Sequence, residues 1–189
     1  MDNKFYIRRA AYYETDRMGI VHHSNHIRYF EEARIDFMHK IGCDVLDLEE
    51  QGVLIPNVDA YARYLKPVRF YDDVYIEVKL VVFNGSRMEY DYTMRFCDND
   101  EIASTGHTTH CFVNSDFKPM SIKRAFPDFY QRLKDNMSEW FAAVSLIKRK
   151  QPFLIKSIIV TICLNWQFLS WQTKLFAVFL IHEVDTINL

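Results

Sequence analysis

Residues 12–41 read YYETDRMGIVHHSNHIRYFEEARIDFMHKI, and this stretch decides the fold. Its second half has helical spacing. Ile27, Phe30, Ala33, Phe37 or Met38, and Ile41 recur at three- and four-residue intervals, which line one face of an α-helix. Ser24 or Asn25 is the expected N-cap, because either side chain accepts from a free backbone N–H. Gly42 stands where a left-handed C-terminal residue belongs. The first half is the densest polar cluster of the chain, with Asp16, Gly19, His22, His23 and His26 feeding into the helix start.

Strand patterns surround this helix. Residues 4–12 suggest a short strand running into the polar loop Glu14–Arg17. Residues 57–66 suggest another, ended by Pro67. In 73–83, Val74, Ile76, Val78, Leu80 and Val82 alternate with polar residues, and in 87–96 Met88, Tyr90, Tyr92, Met94 and Phe96 do the same. Asn84-Gly85 between them predicts a tight hairpin turn. A further strand is expected over 101–114, and Pro127 suits the first position of a last helix. Period-2 alternation means one wet and one buried sheet face, and the long helix is the natural cover for the buried one. The expected class is α+β: an antiparallel sheet in a meander, wrapped around one long central helix.

The chain has 189 residues, 49% of them apolar, and a net charge of −2. This material suffices for a real core and argues against a nucleic-acid binder. Five glycines are too few for a glycine-rich phosphate cradle. Cys43, Cys97, Cys111 and Cys163 show no paired spacing and read as reduced thiols of a cytoplasmic protein, Cys111 as a small buried hydrophobe. The opening MDNKFYIRR has no apolar run, so no secretory signal is expected.

The average charge conceals a break. Residues 1–140 hold 18 Lys+Arg against 23 Asp+Glu, whereas 141–189 hold five against two and no glycine. We therefore read a domain over 1–140 and an extra apolar tail over 141–189. The tail is read as a packed helix, a membrane anchor or a non-native extension, with the anchor not favoured. Its longest uncharged run, 157–173, is short for a span and diluted by Asn165, Gln167 and Gln172.

A carboxylate beside a helix N-terminus is a reasonable arrangement for hydrolysing an acyl bond. Asp16 attacks or activates water, and free N–H groups with the positive end of the helix dipole hold the oxyanion. The plainer reading makes Asp16 a turn residue. His22, His23 and His26 lack a partner carboxylate at firm metal-ligand spacing, so no metal is expected. His107 and His110 fall on opposite strand faces. Tyr90 and Tyr92 read as sheet packing. Ser104, Ser115 and Ser121 lack the G-x-S-x-G context of a serine hydrolase.

Tyr12, Asp16, Gly19, Val21, His23 and Asn25 keep a spacing that resembles the signature of hotdog-fold acyl-CoA thioesterases of the 4-hydroxybenzoyl-CoA thioesterase-like, Tol-Pal-associated type. Tyr29-Phe30-Glu31-Glu32-Ala33-Arg34 resembles the start of that family's central helix, and the likeness spans about residues 3–137. The resemblance implies hydrolysis of an acyl-CoA to a free acid and CoA. Asp16 would be nucleophile or general base, assisted by Tyr12 and His23, and the His23 N–H would polarise the thioester carbonyl. Gly19 would let the loop approach the acyl group, with Val21 beside it, and Asn25 would orient the loop. His22 and His26 would line the acyl pocket, and Glu31 or Glu32 would bring a second carboxylate near. A homodimer or homotetramer with its active site between subunits is implied, and no cofactor. The CoA phosphates that the resemblance implies need cations at the dimer surface, for which Arg87, Lys123 and Arg124 are the candidates. The competing readings are a non-catalytic acyl-CoA-binding module of the same fold and a hotdog hydratase or dehydratase.

Overall fold

The computed structural model describes residues 5–137. The chain divides into two units, 1–138 and 139–189, and the described residues all belong to the first. Every reading made for the tail lies outside them. No helix among the described residues is long and apolar enough to cross a membrane.

Strand β1 (Tyr6–Arg9) leads into a single 3-10 turn, Tyr12–Glu14, and then helix α1 (His23–Lys40). Next come α2 (Val45–Glu50), β2 (Val53–Leu54) and β3 (Asn57–Tyr64). The long strands β4 (Asp73–Phe83), β5 (Arg87–Phe96) and β6 (Ile102–Cys111) follow, then β7 (Val113–Asn114), α3 (Ile122–Ala125) and α4 (Pro127–Asp135). Five strands form one sheet in the order β1-β4-β5-β6-β3, and β2 pairs with β7 in a small separate ribbon.

The boundaries of β4 and β5 follow the alternation of their side chains, and Pro127 opens α4 as its missing N–H allows. Five expectations are corrected. The strand order is no simple meander: β3 pairs antiparallel with β6, Ala62 opposite Gly106, and leaves β4 to pair with β1. Alternation identifies faces, not neighbours. The expected last strand is divided into β6 and β7, and Cys111 is half-buried while Cys43 is the buried thiol. The β4–β5 connection is a three-residue loop, 84–86. Asn84 Oδ1 accepts from the Ser86 and Arg87 N–H groups, both at 2.9 Å, and only Gly85 takes positive φ. Finally, α1 is capped by His22, not Ser24 or Asn25: its Nδ1 accepts from the Ser24 N–H at 3.3 Å.

Helix α1 lies on one face of the sheet. Its buried side chains, Asn25, His26, Tyr29, Phe30, Ala33, Arg34 and Met38, include four that carry polar groups at the helix start or along its axis. The facing strand positions are Val74, Ile76 and Leu80 on β4 and Met88, Tyr90, Tyr92 and Met94 on β5, all buried. Phe30 stacks on Tyr92 at 4.9 Å between ring centroids, and Phe37 meets Tyr90 edge-on at 6.1 Å. Phe30, Tyr90 and Tyr92 are fully buried, and each such ring contributes about 2 kcal/mol or more. This packing fixes where the N-terminus of α1, and the loop before it, must lie.

Candidate active site

The loop before α1 closes on itself. The Gly19 N–H donates to the Asp16 carbonyl at 2.9 Å, and the Asp16 N–H donates to the Ile20 carbonyl at 2.9 Å. Gly19 has φ +73°, a conformation glycine adopts without a Cβ penalty. Asp16 Oδ1 accepts from the Met18 N–H at 2.8 Å. One carboxylate oxygen is thus tied into the turn, and the other makes no hydrogen bond among the described residues. The turn-residue and functional readings of Asp16 coexist in one geometry.

The loop is tied to the body by Glu14, which the sequence reading treated only as part of a polar loop. Its carbonyl accepts from the His22 N–H and from Asn25 Nδ2, both at 2.8 Å. Its buried carboxylate accepts from the Tyr29 hydroxyl at 2.6 Å, from the Ala11 N–H at 2.7 Å, and from Arg8. Burial by itself would raise the Glu14 carboxyl, but these bonds from Tyr29, Ala11 and Arg8 hold it below its ordinary range. The partners that tie its carboxylate to the body, Arg8 on β1 and Tyr29 in the second turn of α1, are brought in by the fold and leave no local pattern.

A cleft of about 360 Å³ opens at the N-terminus of α1. It is lined by Asp16, Val21, His23 and His26 among the expected residues, and by Tyr64 and Val68 from the β3 end and the segment after it. The Tyr64 hydroxyl donates to the His23 carbonyl at 3.1 Å. The His23 N–H, at the first turn, has no acceptor among the described residues and sits at the positive end of the helix dipole. His26 is 3% exposed, and burial, with a smaller contribution from His23, lowers its imidazole to about 4, so it is neutral near pH 7.

Other expected residues lie off the cleft. Tyr12 is 76% exposed and packs edge-on against Phe70. His22 caps α1 and lies against His23, the rings tilted with centroids 3.9 Å apart, while Asn25 is buried and bonds the loop through the Glu14 carbonyl. Glu32 is taken up by Arg8 at 2.6 Å and Tyr6 at 2.9 Å, and Glu31 is exposed beside Arg34. Arg87, Lys123 and Arg124 gather at the β4–β5 loop, where the Ile122 N–H donates to the Gly85 carbonyl. Ser104, beside the cleft, pairs with Met94. Seven strand positions separate Met94 from Arg87, roughly 24 Å, so these cations do not reach the cleft of their own chain. Among the described residues no three His, Cys, Asp or Glu side chains are grouped as metal ligands.

Comparison with known proteins identifies the family. Over 110 residues the chain is 40% identical to an Aquifex aeolicus protein described as a "putative esterase", covering 58% of this chain and 84% of that one. Over 122 residues it is 32% identical to a Bacillus subtilis "putative acyl-CoA thioesterase", covering 64% and 88%. The solved DHNA-CoA thioesterase from Staphylococcus aureus matches with a TM-score of 0.67 at 28% identity, over 78% of this chain and 93% of that one. The family model of the thioesterase-like superfamily matches residues 11–143, and the chain belongs to that superfamily.

Proposed function

We propose that the chain hydrolyses an acyl-CoA thioester to a free acid and CoA, with Asp16 as nucleophile or general base. The observation that carries this reading is that Asp16 and His23, the first residue of α1, line one cleft. The substrate carbonyl oxygen takes its hydrogen bond from the His23 N–H. Negative charge develops on that oxygen as the carbonyl carbon is attacked, and the helix dipole stabilises it. The free Asp16 oxygen either takes a proton from the attacking water, or attacks the carbon itself to give a mixed anhydride that a water then hydrolyses. In both cases the CoA thiolate leaves, the free acid forms and the Asp16 carboxylate is restored. Val21 and Val68 give the acyl group apolar walls.

Strand β3 supports a homo-oligomer. It is an eight-residue edge strand with almost every side chain exposed, including Val58, Tyr61 and Tyr64. Such an edge offers unpaired backbone groups to a second copy of the same strand. Tyr64 lies both on β3 and on the cleft, so a second copy seated there would also wall the site. The same reading takes residues 1–140 as the catalytic domain. The motif favours the 4-hydroxybenzoyl-CoA, Tol-Pal-associated type, whereas the names of the S. aureus structure and of a 27% identical Thermosynechococcus vestitus 1,4-dihydroxy-2-naphthoyl-CoA hydrolase favour a bicyclic aromatic acyl group.

Purified protein offered short, medium and aromatic acyl-CoAs should release free thiol from at least one. No release from any of them would overturn the proposal.

A further inference from the structure

His26 and Ser104 form an isolated buried pair at the wall of the cleft. His26 Nδ1 lies 3.0 Å from the Ser104 hydroxyl, and Ser104 is fully buried on β6. The Ser104 hydroxyl has no other partner among the described residues. If Nδ1 carried the proton, the Ser104 O–H would be left buried without an acceptor, which is costly. The favourable arrangement has Ser104 donating to Nδ1, which places the imidazole proton on Nε2. The sealed side-chain atoms without partners among the described residues are Arg8 Nε and His110 Nδ1. His26 Nε2 is not one of them and has no hydrogen-bond partner among the described residues; since His26 lines the cleft, this N–H is available there. The ring is held from its sides by Tyr64, edge-on at 4.9 Å, and by Tyr29 at 6.3 Å.

We propose that Ser104 fixes His26 as a neutral N–H donor facing the acyl cleft, so that the pair selects acyl groups carrying an oxygen acceptor. The ligand chemistry is a keto or hydroxyl oxygen a few bonds from the thioester. A purely hydrocarbon acyl group leaves the donor unpaired in a desolvated wall, and a site built to pair a polar group discriminates against the analogue that lacks it. Ser104 is a positioning residue: it touches no substrate and acts through the tautomer of His26. The inference rests on the thioesterase reading above.

The test compares matched substrates: butyryl-CoA with 3-oxobutyryl-CoA, and benzoyl-CoA with its 2-, 3- and 4-hydroxy derivatives. For at least one pair the unmutated protein should favour the oxygen-bearing member about tenfold in kcat/KM. His26→Phe should bring that ratio to within about twofold of unity. His26→Asn, whose amide can still donate, should retain part of it, and Ser104→Ala should lower it. A ratio unchanged in His26→Phe, or no preference in the unmutated protein, overturns the proposal. If no acyl-CoA is turned over at all, the hydrolase reading fails instead. Independently of any variant, nitrogen-15 NMR of the imidazole should show His26 neutral with its proton on Nε2 at pH 7. A proton on Nδ1 overturns the proposal.

Discussion

The ring of Phe30 occupies the space that a side chain at residue 106 would need: a Cβ built on Gly106 overlaps its edge. Gly106 sits in the middle of β6, opposite Tyr92, on which Phe30 stacks. The glycine thus sets how closely the first turns of α1 approach the sheet, and with them the cleft. Gly106→Ala should destabilise the domain by about 1–3 kcal/mol through overpacking. Urea unfolding monitored by tryptophan-independent far-UV CD measures it. Unchanged stability would mean that α1 has slack over β6.

Glu14 links the site loop to the body of the domain, and its loss should be felt in both. Glu14→Gln leaves the Arg8 charge without one of its two carboxylates and should cost about 3 kcal/mol. Because the folded carboxyl lies below its ordinary range, its contribution is present above the unfolded pKa of about 4.3 and disappears as pH falls through the folded value. The acid limb of a stability–pH curve should therefore be shallower in Glu14→Gln than in the unmutated protein. Parallel acid limbs would show that Glu14 contributes no linkage.

On the opposite sheet face, His107 lies 2.7 Å from Asp91 and 3.5 Å from Glu89. The hydrogen bonds to Asp91 and Glu89 raise its imidazole to about 9. Its contribution is complete below the unfolded pKa of about 6.5 and is lost as pH rises through about 9. Thermal melts from pH 6 to 10 should show a decline over that window that His107→Gln removes. A decline of equal size in the variant would assign it to another group.

The open edge of β3 should be occupied in solution. Sedimentation equilibrium should give twice or four times the chain mass, and lysines placed at Val58 and Tyr61, both 59% exposed, should shift it toward the monomer. A monomer at micromolar concentration would contradict the proposed shared site.

How far the sequence carries this structure depends on whether the determinant is local. The bounds of β4 and β5 follow from alternation within each strand, and the left-handed Gly42 from the helix it ends. The pairing of β3 with β6 is set by partners some 45 residues apart and leaves no trace in either pattern. At the site, Asp16, Val21, His23 and His26 were legible because they share one continuous loop and helix start. Tyr64, Val68 and Ser104 were not, because β3, the segment after it and β6 reach the cleft only through the fold. Glu14 was visible as a charge, but its role depends on Arg8 and Tyr29 from two other elements. The His22 cap was missed because Ser24 and Asn25 are the commoner residue types for it.

The most direct test is thiol release by Asp16→Asn on an acyl-CoA that the unmutated protein hydrolyses. Asparagine keeps an oxygen that can accept from the Met18 N–H, so the loop and the melting temperature should be preserved. It has neither the nucleophilic oxygen nor the base, so kcat should fall at least about a hundredfold. A folded Asp16→Asn protein that turns over at the unmutated rate would contradict the account.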